Sequence, residues 1–166
     1  MPQLFGLPVH PAAAHFPIAA SAFAAAALVV AAFLTATGRA EASAPWRMAG
    51  VLLLVVALLG APVMIWSGRA WAISMDDMAS GSLFPKPDAE DGVLQRHALS
   101  AGATAVAVLA AFLLAYARRD PKKPVLPAAI AAVLAAALMS FTGHLGGTMV
   151  HKPAGPPAEV SSPSRK

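Results

Sequence analysis

Four long apolar runs constrain this chain more than any other feature. They extend from about Ala12 to Leu34, Trp46 to Trp66, Val93 to Ala117 and Val125 to Val150. Each is long enough to cross the hydrocarbon core of a bilayer, which takes ~20 helical residues. Lipid offers no hydrogen-bond partner to a backbone, so a spanning segment must satisfy its own N–H and C=O groups, and the runs are too long for barrel strands. The sequence therefore predicts an all-α integral membrane protein, a four-helix up-down-up-down bundle with both termini on one side. Composition agrees: 58% of residues are apolar and 12% charged, against roughly 45–50% and ~25% in soluble domains.

The connections between the runs are unequal. Residues 35–45 and 118–124 are short and polar, which makes runs one and two, and runs three and four, antiparallel neighbours. The middle connection, 67–92, is long and holds Trp71, two methionines and the acidic stretch Asp88, Glu90, Asp91. A loop of that size on a compact bundle acts as a lid or docks a partner. Around the membrane domain, 12–152, the sequence leaves an N-terminal segment, 1–11, and a proline- and serine-rich tail, 153–166, that reads as disordered or extended. The N-terminal segment lacks the positive region of a signal peptide and reads as part of the mature protein. Pro62 predicts a kink late in the second helix, and Gly50, Gly60 and Gly102 predict close helix approach.

Charge sets orientation. The two short loops and their flanks carry Arg39, Arg47, Arg118, Arg119, Lys122 and Lys123 against Glu41 and Asp120. The positive-inside rule places them in the cytoplasm. The expectation is thus a multi-pass protein of a bacterial inner membrane, its termini and long loop periplasmic. The pI near 10 reflects these loop residues, and no nucleic-acid partner is expected. There is no cysteine, which excludes disulfides, thiolate-held zinc, iron–sulfur ligation and covalent c-type haem.

All five histidines fall at the outer end of this topology. His10 and His15 flank the start of helix one, His97 lies early in helix three, His144 lies near the end of helix four and His151 just beyond. His15, His97 and His144 each sit four to six residues inside their helices, a shared depth of roughly 6–9 Å. Ionisable residues within membrane helices are costly and mark functional sites. Neutral imidazole ligates haem iron, copper and zinc. Isolated imidazoles from separate helices, with few carboxylates at that depth, suit a haem b with two axial histidines. Three converging histidines also suit copper or zinc, and Met64, Met75, Met78 and Met149 lie near as soft ligands or packing residues. Gly143, Gly146 and Gly147 around His144 remove bulk where a flat macrocycle would pack, or simply allow close helix contact. Pro17 frees a carbonyl able to fix the ring N–H of a metal-bound histidine, or marks a kink. No serine has a base and orienting partner, no carboxylate pair lies in the membrane, and there is no phosphate-binding loop.

These pieces, His10-Pro11 through His15-Phe16-Pro17-Ile18, the early His97, and Gly143-His144-Leu145-Gly146-Gly147, resemble a bacterial family of small predicted four-helix membrane proteins long catalogued as a domain of unknown function. The resemblance spans roughly residues 8–152. It implies a haem b-type membrane cytochrome, some relatives being joined to Rieske-type iron–sulfur domains or encoded with respiratory components. On that basis the expected function is an electron-transfer subunit of a respiratory or photosynthetic membrane complex, with other subunits and a periplasmic cytochrome c, a Rieske-type protein or a quinone as partners. His15 and His97 are the expected axial pair, helices one and three lying diagonally; His144 would pair with His10 or His151 around a second haem. A copper or zinc protein, with His15, His97, His144 and His10 as ligands, and a structural accessory subunit remain the alternatives.

Overall fold

The computed structural model describes residues 3–4, 7–86 and 92–150 of the chain. The acidic stretch 88–91, His151 and the tail 153–166 lie outside the described residues. A two-residue antiparallel ladder, β1 (Gln3–Leu4) with β2 (Leu7–Pro8), precedes four helices. These are α1 (Val9–Ala36), α2 (Ala44–Ser74), α3 (Val93–Ala117) and α4 (Leu126–Val150), with a 3-10 turn at Glu41–Ser43 before α2. All four helices are long and apolar enough to cross a membrane. They pack as two antiparallel hairpins, α1–α2 and α3–α4. Contacts of α1 with α4 and of α2 with α3 close the ring, which leaves α1 and α3 on a diagonal.

Helix boundaries follow local chemistry. Gly38, at φ +77°, ends α1 in a left-handed residue. The amides of Gly38 and Arg39 turn back to the carbonyls of Thr35 and Leu34, the bonding pattern of a glycine-terminated helix. Pro45 sits in the first turn of α2, where its missing N–H costs nothing. Past Trp66 the second helix runs two turns further than expected, to Ser74, and it continues through Pro62.

The core is built from small residues. Ala24, Leu28 and Ala31 of α1, Leu54 and Ala57 of α2, Val108 and Ala111 of α3, and Ala128, Ala132 and Ala135 of α4 are buried. Large side chains point outward instead: Leu59 is 70% exposed and Phe23 64%. That inversion is unfavourable in water and natural in lipid, where helices associate through close contact of small residues. Gly50 shows how tight the contact is. A Cβ there would stand 2.6 Å from Cγ of buried Leu28. Gly60 likewise faces Pro17, whereas Gly102 has nothing within 4 Å, so the close approach expected there is not made.

Arg47 ties the hairpins together at the end away from the histidines. It is completely buried. Its Nη1 donates to the carbonyls of Arg118, Asp120 and Lys123 at 2.7, 3.0 and 2.9 Å. Nη2 donates to Thr35 Oγ1 at 2.9 Å and Nε to Ser43 Oγ at 2.9 Å. One guanidinium thus ties carbonyls of the α3–α4 loop to hydroxyls of the α1–α2 hairpin. Charge-assisted hydrogen bonds contribute about 1.5–3 kcal/mol each, and a buried acceptor left without a donor costs a similar amount. Replacing Arg47 by alanine should therefore destabilise the bundle by on the order of 3 kcal/mol. Arg47→Lys should recover only part, since an ammonium cannot fork across the same partners. Thermal unfolding in detergent checks this, and a wild-type midpoint for Arg47→Ala would contradict it.

Candidate functional site

At the other end of the bundle two imidazoles meet across the diagonal. His10 of α1 and His97 of α3 have ring centroids 6.2 Å apart and ring planes inclined at 84°. Each ring is held by the other helix of its own hairpin. Nδ1 of His10 lies 3.0 Å from Ser67 Oγ on α2, and Nδ1 of His97 lies 3.0 Å from the Thr142 carbonyl on α4. Each ring also rests where its neighbour lacks a side chain. A Cβ on Gly68 would stand 2.9 Å from Cε1 of His10, and one on Gly146 3.1 Å from Cε1 of His97.

Hydrogen bonds extend this arrangement into the bundle. Thr142 Oγ1 and the buried Thr104 Oγ1 are 3.0 Å apart, and Thr104 donates to the Ser100 carbonyl at 2.7 Å. Engagement of Nδ1 fixes ring orientation and directs further bonding to Nε2. That is the arrangement metal-bound histidines usually have, the second nitrogen tied to a carbonyl or hydroxyl. His10 precedes the first span, which begins at Ala13. Burial holds its pKa below the ordinary 6.5; nearby His97 lowers it further, and a hydrogen bond to the Met64 carbonyl partly offsets both. The neutral, ligand-competent form is therefore the one favoured near pH 7.

The other sequence-predicted residues lie elsewhere. His15 and His144 are both exposed. The reason is angular. His15 is five residues from His10, about 140° around the helix, and His144 is about 200° from both Thr142 and Gly146. The rings therefore do not converge on the His10–His97 pair. The ring that faces His97 is that of His10. The space expected beside His144 for a macrocycle is, at Gly146, filled by the His97 ring, while Gly143 faces Ile18. Among the described residues no group of three His, Cys, Asp or Glu side chains is placed to hold a metal.

The segment after α2 packs against this end of the bundle. Met78 is buried in a small cluster with Ala72 and Leu94, against Trp71 and Met149, so Met78 and Met149 act as packing residues. Arg69 Nη1 donates to the Ser82 carbonyl at 2.8 Å, holding the segment after α2 against its helix. Trp66, 60% exposed, points outward as an interfacial aromatic does.

Fold and site together define a four-helix membrane protein with a pinned histidine pair at one mouth. The chain belongs to the family described as "Predicted membrane protein (DUF2231)", which matches residues 6–154. No curated protein and no solved structure matches it.

Titration of the metal-free protein by NMR should give His10 a midpoint below 6.5. A midpoint at or above that value would contradict the burial of the ring.

Proposed function

We propose that this protein is a b-type cytochrome-like electron-transfer subunit that holds haem iron between His10 and His97. The observation that carries the reading is the pair of anchored imidazoles whose rings lie edge to face, 6.2 Å apart. Two nitrogens about 2 Å from one metal ion on opposite sides bring ring centroids to roughly 6 Å, and 6.2 Å is found. The donor set points the same way. Haem supplies four nitrogens of its own and asks two axial ligands of the protein, whereas zinc takes three or four protein ligands. Two histidines complete the first requirement and meet half of the second.

When bound, haem supplies a one-electron couple. The chain's own residues set its position and environment. Ser67 and the Thr142 carbonyl fix the two rings, and these contacts would raise the donor strength of the Nε2 atoms that would hold the iron. Gly68 and Gly146 let the rings lie flush against α2 and α4. Below the pair the Thr142–Thr104 hydroxyls are the polar part of a bundle otherwise packed from apolar residues, and such surroundings would tune the potential of a bound group. On this reading, which the positive-inside rule supports, the histidine mouth faces the periplasm from an inner membrane, where a periplasmic cytochrome c, a Rieske-type protein, a quinone or another subunit of a respiratory or photosynthetic complex would exchange the electron.

The test is a reduced-minus-oxidised spectrum after haem-replete expression. Wild type should show a b-type alpha band. His10→Leu and His97→Leu should each abolish it, while His15→Leu and His144→Leu retain it. A wild-type protein without the band, or one whose band survives both His10→Leu and His97→Leu, would sink the proposal.

A further inference from the structure

The loop that follows α2 presents two large apolar side chains that its own packing cannot cover. Helix α2 closes on a left-handed residue, Asp76, at φ +60°. The amides of Asp76 and Asp77 return to the carbonyls of Ile73 and Ala72, a bonding pattern that turns the chain back on itself. Both stems of the returning segment are fixed. Met78 is buried against Ala72 and Leu94, Pro85 is buried, and the Lys86 amide donates to the Asp77 carbonyl at 2.8 Å. Between those stems Arg69 holds the Ser82 carbonyl. The Ser82 hydroxyl donates to the Phe84 carbonyl at 2.6 Å and accepts from the Phe84 amide at 3.2 Å. Leu83 and Phe84 cannot fold beneath a loop pinned in this way, and they stand 80% and 52% exposed.

Height along α2 says what meets them. Trp46 and Trp66 are both exposed, and their separation along this one helix is about 30 Å. That is the thickness of the hydrocarbon core, whose two faces interfacial tryptophans mark. Arg69 stands about 4.5 Å beyond Trp66, inside a headgroup layer roughly 5–7 Å deep on each side. Helix α2 continues to Ser74, about 12 Å beyond Trp66, before the chain turns back. The bond from Arg69 to Ser82 therefore returns Leu83 and Phe84 to the level of the headgroups. Two side chains offer at most a few hundred Å², well short of the ~800 Å² that each partner gives to a stable protein interface. A bilayer interface needs no such area, and amphipathic segments lodge in it at a depth of about 5–10 Å.

We infer that Leu83 and Phe84 insert into the lipid interface on the histidine side of the membrane, so that the loop after α2 is an anchor clamped at headgroup level by Arg69. The occupant of this surface is phospholipid of the surrounding bilayer. Its upper acyl chains cover the two apolar side chains, and the guanidinium keeps its charge in the polar layer above them. The anchor does not depend on what His10 and His97 hold.

The chain has no cysteine, so single cysteines carry the environment-sensitive fluorophore NBD without background. The full chain is placed in phosphatidylcholine nanodiscs, which leave both membrane faces open to solutes. Labels at Leu83→Cys and Phe84→Cys should emit to the blue of a label at Ser74→Cys. They should be quenched by lipid bearing a nitroxide at the headgroup or high on the acyl chain, and should resist aqueous iodide. A label at Leu59→Cys, about 10 Å below Trp66, should respond to a nitroxide deep in the acyl chain, and one at Ser74→Cys to iodide alone. Adding Arg69→Ala, which frees the Ser82 carbonyl, should cost the Leu83 label most of its lipid quenching; full quenching there would overturn the clamp. Labels at Leu83 and Phe84 that behave as the Ser74 label does overturn the inference. So do labels shielded from both iodide and nitroxide lipid, which would assign the two side chains to a protein contact.

Discussion

The arrangement of this bundle depends on one buried cation. Arg47 has no exposure to solvent and spends its donors on loop carbonyls and two hydroxyls. Taking a guanidinium out of water is expensive unless every donor is met, and here the partners come from both hairpins. Arg118 closes the C-terminal end of α3, where unpaired carbonyls and the helix dipole favour a cation. The bond therefore fixes how far one hairpin slides against the other. At the opposite end of the same helices the rings of His10 and His97 meet, their centroids 6.2 Å apart.

At that end the two hairpins use the same device. The first helix of each provides an imidazole, and the second provides a glycine under the ring and an oxygen for Nδ1. Gly68 with Ser67 serves His10; Gly146 with Thr142 serves His97. Glycine matters because helices packed through alanine stand too close for a ring and a methyl group at one level. The hydroxyl–carbonyl chain from Thr142 through Thr104 continues the polar line beneath His97, so the pair is set in a prepared environment and not merely at a frayed helix end.

Much of this was legible in the sequence, and the part that was not has a geometric cause. Run length and apolarity define the four helices, and loop lengths define the antiparallel neighbours and the α1–α3 diagonal. Depth counting brought His15, His97 and His144 to one level but ignored rotation. Seven-residue spacing carries that missing information, as in other left-handed bundles. His10, Pro17, Ala24 and Ala31 form one stripe on α1, and Arg47, Leu54, Ala61 and Gly68 another on α2. His97, Thr104 and Ala111 follow on α3, then Ala128, Ala135 and Thr142 on α4. His15 and His144 fall off their stripes. Arg47, in sequence a positive-inside charge, falls on one. The partners Ser67 and Gly68 lay hidden because the second helix appeared to end at Trp66. Apolarity stops there, whereas the backbone hydrogen bonding continues to Ser74.

The central claim is that the two hairpins each give one axial imidazole to a single iron. Electron paramagnetic resonance of the oxidised, haem-loaded protein examines it most directly, because the low-spin ferric signal depends on the angle between the two ligand planes. With the rings inclined at 84°, the account predicts a highly anisotropic low-spin signal, lost in both His10→Leu and His97→Leu. A high-spin signal, the more rhombic signal of parallel imidazole planes, or a spectrum unchanged by either substitution would contradict it.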